Sequence, residues 1–407
     1  MKRIVLLLSI CLVVSLTGCA AGDEAGSDVA ELRDFPYSYR AMLAISSDID
    51  AATPEQFTAY HQFLNTREMT DMGLGLGLDI ADSFWMYMAS DLPLVADRHG
   101  NGSEAVMSWF VGTSDVVKDA EMIVHYWEKG WIDSIHTWGD FTRVDESEHL
   151  FSREMAERGV AALREHGIYP TVWINHGNAA NTQNIETRGV ESYRSGDRPG
   201  TDAFHTDITI PLGIKFIWGS HNDTSFGRHD ILYPTTLHDG QTLWGFHRYT
   251  PGWSIYGLHE QLSDANLDLL VENRLPVVVS QHFGGANYYF PFISSAVEGL
   301  QRLAERYERG DILVTRTSRL LEYLRVRDHL AYEASGRNID ITAIDDPQLG
   351  LDSNPAIDSL RGMTFYVDNA ARWTISINGQ PLAEELLVRT GNRTEQDTIG
   401  VAWFERN

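Results

Sequence analysis

Cysteine is almost absent from this chain of 407 residues, and its two copies, Cys11 and Cys19, both lie near the start. Everything after Cys19 therefore lacks an intramolecular disulfide and a thiolate metal ligand, so its stability must come from an ordinary core. Hydrophobic residues at 43% and 11 tryptophans are enough to build one. Positive charge is also scarce: 32 Lys and Arg stand against 57 Asp and Glu, giving a formal charge of −25. The acids are scattered rather than blocked, and such a surface repels nucleic-acid phosphates and anionic lipid headgroups. Nucleic acid is therefore excluded as an expected partner. Long apolar runs are lacking except over residues 4–16, and no internal repeat or low-complexity tract is visible.

That one apolar run has a recognisable setting. Lys2 and Arg3 precede it and Leu16, Thr17, Gly18 and Cys19 follow it, the arrangement of a secretory signal with a small-residue cleavage site. It is shorter than the ~20 residues that span a bilayer. Its ending resembles a bacterial lipobox, which implies removal of residues 1–18, lipidation of Cys19 and a membrane anchor there. Ala20 after Cys19 resembles the pattern sorted to the outer membrane, so an exported periplasmic or cell-surface lipoprotein is expected. Residues 19–34, rich in Ala, Gly, Asp, Glu and Ser, read as a flexible tether.

Beyond the tether, strand-length apolar runs alternate with amphipathic helical stretches. Residues 42–46 read as a buried strand. Thr53 then caps a helix running to about residue 64, with Pro54 in its first position and Gln56 completing a capping box. Further strands are expected over 105–111, 131–135, 169–174, 214–218 and 276–280. Helices are expected over 116–129, 151–166, 258–272, 294–309 and 318–327, with Gly130 and Gly167 as stops. This alternation predicts an α/β fold with a parallel sheet and crossover helices, either a barrel or a doubly wound sheet, over 35–330. Period-two segments at 339–344, 363–367 and 373–377 and the turn Asn378–Gly379 predict a small antiparallel β domain over 331–407.

The strands finish in polar residues: Asp48 and Asp50, His136, Asn175 and His176, His221 and Asn222, Gln281 and His282. In a parallel barrel all of these lie on one carboxyl rim, where such folds keep their chemistry. Burial accounts for Met42, Leu43, Ala44 and Ile45, but it gives no reason to end that strand in two carboxylates. A divalent ion used as a Lewis acid needs about three fixed protein ligands and open positions. Asp50, His136 and Asp140 would supply them, since a helical turn after His136 puts Asp140, four residues on, on the same face. Asp48, two residues from Asp50 in an extended stretch, could serve as general base, and His282 could protonate a leaving group.

The segments Ser46-Ser47-Asp48-Ile49-Asp50, His136-Thr137-Trp138-Gly139-Asp140, Val277-Val278-Val279-Ser280-Gln281-His282 and Gly310-Asp311-Ile312-Leu313-Val314-Thr315 occur in that order. Together they resemble the polysaccharide deacetylase family, carbohydrate esterase family 4, within the wider glycoside hydrolase and deacetylase superfamily. The resemblance covers about residues 39–327. It implies a distorted parallel (β/α) barrel of deacetylase type, with Asp48 as catalytic base, Asp50 and His136 as metal ligands and His282 assisting product departure. Two positions depart from the pattern. Asp140 stands where the family has a second histidine, and Asn175-His176-Gly177-Asn178 occupies the place of an expected arginine and proline motif.

The resemblance thus implies a lipid-anchored, metal-dependent hydrolase, with zinc as the first candidate ion, that removes acyl groups from an extracytoplasmic polysaccharide or oligosaccharide. His176, Asn178, His221, Asn222 and Asp223 are candidates for sugar hydroxyl contacts, and Trp138, Trp173 and Trp218 for stacking on a pyranose face, although core packing explains each tryptophan equally well. One rival keeps the barrel and cleaves the glycosidic bond with two carboxylates, Asp48 with Asp140 or Asp223. Another is a glycan-binding lipoprotein on a decayed enzyme scaffold.

Overall fold

The computed structural model describes residues 29–92, 102–185, 192–219, 222–284, 292–392 and 395–405. The expected leader and Cys19 lie outside these residues. A two-residue strand, β1 (Glu31–Leu32), leads to β2 (Ala41–Ser47), which is buried along its whole length. A strand with both faces covered belongs inside a parallel sheet. Joining it are β3 (Ala81–Phe84), β4 (Ile132–His136), β5 (Val172–Ile174), β6 (Phe216–Trp218), β7 (Asn222–Asp223), β8 (Leu232–Thr236), β9 (Thr242–Phe246), β10 (Arg248–Tyr249), β11 (Pro276–Gln281) and β12 (Ile312–Val314).

These form one eleven-stranded sheet in the order β7-β10-β11-β2-β3-β4-β5-β6-β9-β8, with β12 paired to the first half of β2. Every pairing described within this sheet is parallel except β8 with β9. The sheet curls into a half-barrel, so the fold is mixed α/β and barrel-like.

The helix after β2 spans Pro54–Asn65 and carries the expected capping box: Gln56 N donates to Thr53 Oγ1 at 3.3 Å, and Thr53 N donates to Gln56 Oε1 at 3.2 Å. Helices Ala120–Lys129, Arg153–Glu165 and Ser294–Glu308 cover the sheet, the first ended by Gly130 at φ 71°. Three expectations fail locally. Residues 105–111 hold no strand; they begin in a 3₁₀ turn, Ser103–Ala105, and Phe110 makes an isolated bridge to Val117. The next helix starts at Ala120 because Val117 bridges back to Phe110 and Ser108 N donates to the Asp119 carboxylate at 3.1 Å, holding the preceding chain extended. The stretch 258–272 breaks into Leu258–Gln261 and Asp264–Asn273, because Ser263 Oγ accepts from Asn266 N and caps a new helix.

Helix Thr317–His329 floors the barrel at the amino ends of the strands. Ser318 N donates to Asp133 at the foot of β4 at 2.7 Å, Glu322 pairs with Lys215 before β6 at 3.0 Å, and His329 stacks on Trp244 of β9 with centroids 5.4 Å apart. Below this floor lie β13 (Leu330–Ser335), β14 (Asn338–Asp346), β15 (Gly350–Asp352), β16 (Thr364–Tyr366), β17 (Thr374–Ile377), β18 (Gln380–Pro381), β19 (Leu387–Asn392) and β20 (Glu395–Val401).

They make a five-stranded sheet, β13-β14-β17-β18 with β15 on β14, and a four-stranded one, β1-β16-β20-β19. All these pairs are antiparallel except β14 with β17. Asn378 and Gly379, at φ 49° and 75°, form the two-residue turn between β17 and β18. The tether expected up to residue 34 is thus, from Glu31, a strand of the accessory sheet. Asp34 pairs with Arg274 at 2.9 Å and Arg40 N donates to Asp311 O at 3.0 Å, so the chain passes along the barrel floor into β2. No helix among the described residues is long and apolar enough to cross a membrane.

Candidate metal centre

The carboxyl ends of β2, β4, β5 and β11 open into a cleft of about 530 Å³ lined by Asp48, Asp50, His136, His176 and His282. β2 stays extended past Ser47, since Asp48 N donates to Gln281 O at 2.9 Å and Ile49 N to Ser83 Oγ at 3.1 Å. Asp48 and Asp50 thereby project to the same side. Ala51 then turns the chain away at φ 56°. Asn178, two residues past His176, has φ 71°, and Thr137, directly after His136, has φ 45°. Left-handed backbone at residues other than glycine costs about 1–3 kcal/mol and gathers at sites that need a sharp redirection.

His136 Nδ1 lies 3.2 Å from Asp50 Oδ1, and His176 Nδ1 lies 3.9 Å from Asp50 Oδ2. Ligand atoms of Asp50, His136 and His176 all fall within 4.8 Å of one another, so this trio could hold a metal ion. The donor set fits such an ion on a second count. Asp50 Oδ1 and His136 Nδ1 are both buried, and neither makes a well-formed hydrogen bond. Two donors ~2.0–2.1 Å from a tetrahedral ion sit about 3.3 Å apart, close to the separation seen. Trp85 walls the site, stacking on His136 with centroids 4.2 Å apart and meeting His176 edge-on at 5.1 Å.

Charge follows this packing. Burial alone would raise the Asp50 carboxyl, but His176, His282 and His136 outweigh it and hold the group well below the usual carboxylate range. Burial disfavours the His176 cation, yet Asp140 and Asp50 overcome this and push its pKa up to about 9. His282 is raised in the same way, against burial, by Asp50 and Asp48. Its Nε2 is 3.2 Å from Asp50 Oδ2 and 3.7 Å from Asp48 Oδ2.

Asp48 has a partner that sequence reasoning missed. Arg248, fully buried at the start of β10, donates from Nη1 to Oδ1 at 3.0 Å and from Nη2 to Oδ2 at 2.8 Å. Nη2 also reaches Ser280 Oγ, and the guanidinium lies over the Trp218 ring, 4.2 Å from its centroid. The available signal was an arginine closing the apolar run Leu243-Trp244-Gly245-Phe246. Trp253 was missed too. It stands 54% exposed at the lip of the cleft, its ring 4.7 Å from that of His282. Buried Gln281 and Gln261 fix its turn by donating to the carbonyls of Gly252 and Pro251, each at 2.9 Å.

The other expected site residues divide. Asn222, Asn175 and Trp218 line the cleft. His221 lies outside the described residues. Trp138 is fully buried, edge-on to Trp173 at 5.9 Å, and both are core residues rather than sugar platforms. Asn178 donates to Glu146 Oε1 at 2.9 Å and organises its own loop. Asp223 accepts from Ser225 N at 2.9 Å and pairs with Arg228.

Asp140 is not among the three residues whose candidate ligand atoms come together. Thr137 breaks the expected helical turn, donating from N to Ile174 O at 2.7 Å, and Gly139–Asp140 runs on as a short strand beside Tyr87–Met88. Asp140 Oδ1 instead faces His176 Nε2 at 3.5 Å. The sequence reading thus gave the ligand position to Asp140 and a sugar contact to His176, whereas the structure puts His176 in the trio and Asp140 behind it. No protein-family model matches the chain, and a search of curated proteins returns no match.

Proposed function

We propose that this protein is a metal-dependent carbohydrate hydrolase on a deacetylase-type barrel, removing acyl groups from an extracytoplasmic polysaccharide or amino sugar, and held at a bacterial membrane through lipidated Cys19. The observation that carries the reading is the unsatisfied pair Asp50 Oδ1 and His136 Nδ1, with His176 beside it and a carboxylate and a histidine flanking it. A divalent ion held there by Asp50, His136 and His176 would supply Lewis acidity toward an acyl carbonyl and lower the pKa of water.

The chain's own groups do the rest. Asp48, its carboxylate oriented by the Arg248 fork, accepts the proton of the attacking water as the new C–O bond forms. His282, whose charged form Asp50 and Asp48 favour against burial, gives a proton to the departing amine or alcohol as the acyl bond breaks. Trp253 offers an exposed ring beside His282 on which a pyranose face can stack. The acyl bond is favoured over the glycosidic one because the second carboxylates that glycoside cleavage would use, Asp223 and Asp140, are not among the residues that line the cleft.

The test pairs metal analysis with product analysis on acetylated glycans. Wild-type protein is expected to bind about one divalent ion and release acetate, and Asp50→Ala and His136→Ala to lose both together. Acetate release retained in both variants would sink the reading. New reducing ends without acetate would point to a glycosidase, and glycan binding with no ion bound to a non-catalytic lipoprotein.

A further inference from the structure

We propose that Asp140 is the positioning residue of the metal centre, accepting the Nε2 proton of His176 and so fixing the tautomer whose Nδ1 lone pair faces Asp50 and His136. This rests on the metal-centre reading above and adds a role to a residue that touches no other member of the trio. A neutral imidazole carries one proton on one of two nitrogens, and the partner of one nitrogen decides what the other can do. Here the two ring nitrogens face different carboxylates: Nδ1 is 3.9 Å from Asp50 Oδ2, and Nε2 is 3.5 Å from Asp140 Oδ1. With the proton on Nε2, the free lone pair is on the side of the trio. With it on Nδ1, the ring could not ligate through the atom it presents.

Asp140 is built to hold this place. It is buried, and its Oδ1 also accepts from Thr142 N at 2.8 Å, which fixes the carboxylate's rotation. Its backbone is pinned in the short parallel pair with Tyr87–Met88, and Ala89 N donates to Asp140 O at 2.8 Å. A Cβ on Gly139 would collide with the Tyr87 carbonyl, so the preceding position has to be glycine for the two strands to approach this closely. The His176 side is fixed as well, since its N donates to Asn184 Oδ1 at 3.1 Å. Capping the turn at Thr142 would need only an exposed acid, and it gives no reason to bury the carboxylate against an imidazole.

The experiment measures metal affinity directly, by calorimetry with Zn²⁺ and from the visible spectrum of the Co²⁺-loaded protein, on the mature full-length chain. Asp140→Ala is expected to weaken binding by about 10–100-fold and to change the Co²⁺ spectrum. Asp140→Asn, which keeps the shape and the Thr142 contact, should fall between Asp140→Ala and wild type. In the background of His176→Ala, Asp140→Ala should add nothing further, the non-additivity expected when one residue acts through another. Asp140→Asn also guards against loss of folding, because it leaves the packing unchanged. Affinity within twofold of wild type in both Asp140 variants, or a full additional loss in the His176→Ala background, would overturn the proposal while leaving the metal reading intact. Failure of wild-type protein to bind either ion would overturn both.

Discussion

Replacing Arg248 by methionine isolates the pair that orients Asp48. The guanidinium is fully buried and meets both carboxylate oxygens, at 3.0 and 2.8 Å, so the charge centres are about 4 Å apart. At an effective dielectric of about 20 that attraction amounts to about 4 kcal/mol. Removing one partner of a buried pair leaves the other charge unpaired, which typically costs ~3–5 kcal/mol. Arg248→Met should therefore lower stability by about 3–5 kcal/mol in urea unfolding followed by circular dichroism, with the slope of the transition unchanged. Methionine fills much of the space above Trp218, so cavity formation contributes little. The decisive comparison is the double variant Asp48→Asn, Arg248→Met. Removing the orphaned charge should restore roughly half or more of the lost stability, because the penalty belongs to the carboxylate left behind. A loss below about 1 kcal/mol in the single variant, or a double variant as unstable as the sum of the two singles, would refute this account.

Two further outcomes follow from the geometry. His176 is raised to about 9 in the metal-free protein by Asp140 and Asp50 against burial, so its proton stabilises that form below the ordinary value near 6.5, and the contribution is lost as pH rises through about 9. A divalent ion must displace the same proton, so calorimetric affinity should climb with pH up to about 9, by at most roughly tenfold per unit; a flat profile from pH 6.5 to 9 would contradict it. In helix Arg153–Glu165, a Cβ on Gly159 would meet Trp138 Cζ3 at 2.6 Å, so Gly159→Ala should destabilise by ~1–3 kcal/mol in urea despite alanine's better helix propensity. A stabilised variant would mean that the Trp138 contact yields freely.

The elements that the sequence announced are those whose local chemistry and tertiary role agree. The capping box at Thr53 and Gln56, the stop at Gly130 and the apolar run of β11 are each legible within a few residues, and each occurs as read. β3 was not legible, because Asp82 and Ser83 interrupt it and are acceptable there only through partners such as Tyr60, whose hydroxyl donates to Asp82 at 2.8 Å. The convergence of strand ends into one cleft was readable because parallel topology forces it. The ligand assignment was harder, since it hinges on the backbone at Thr137: a helical turn there would aim Asp140 into the trio, and the left-handed turn aims it behind His176. Nothing about a threonine announces φ 45°; the hydrogen bond to Ile174 O that holds it comes from a strand almost forty residues on. Arg248 escaped notice for the same reason, being two hundred positions from the carboxylate it grips.

The pairing of β1 with β16 bears on how the molecule can be held. Glu31 and Leu32 lie in a sheet beneath the barrel floor, and the cleft opens at the other end of the strands. A load applied at β1 therefore reaches the accessory sheet before the strand ends that carry Asp48 and His136. The mouth of the cleft lies clear of that path, at the far end of the barrel strands.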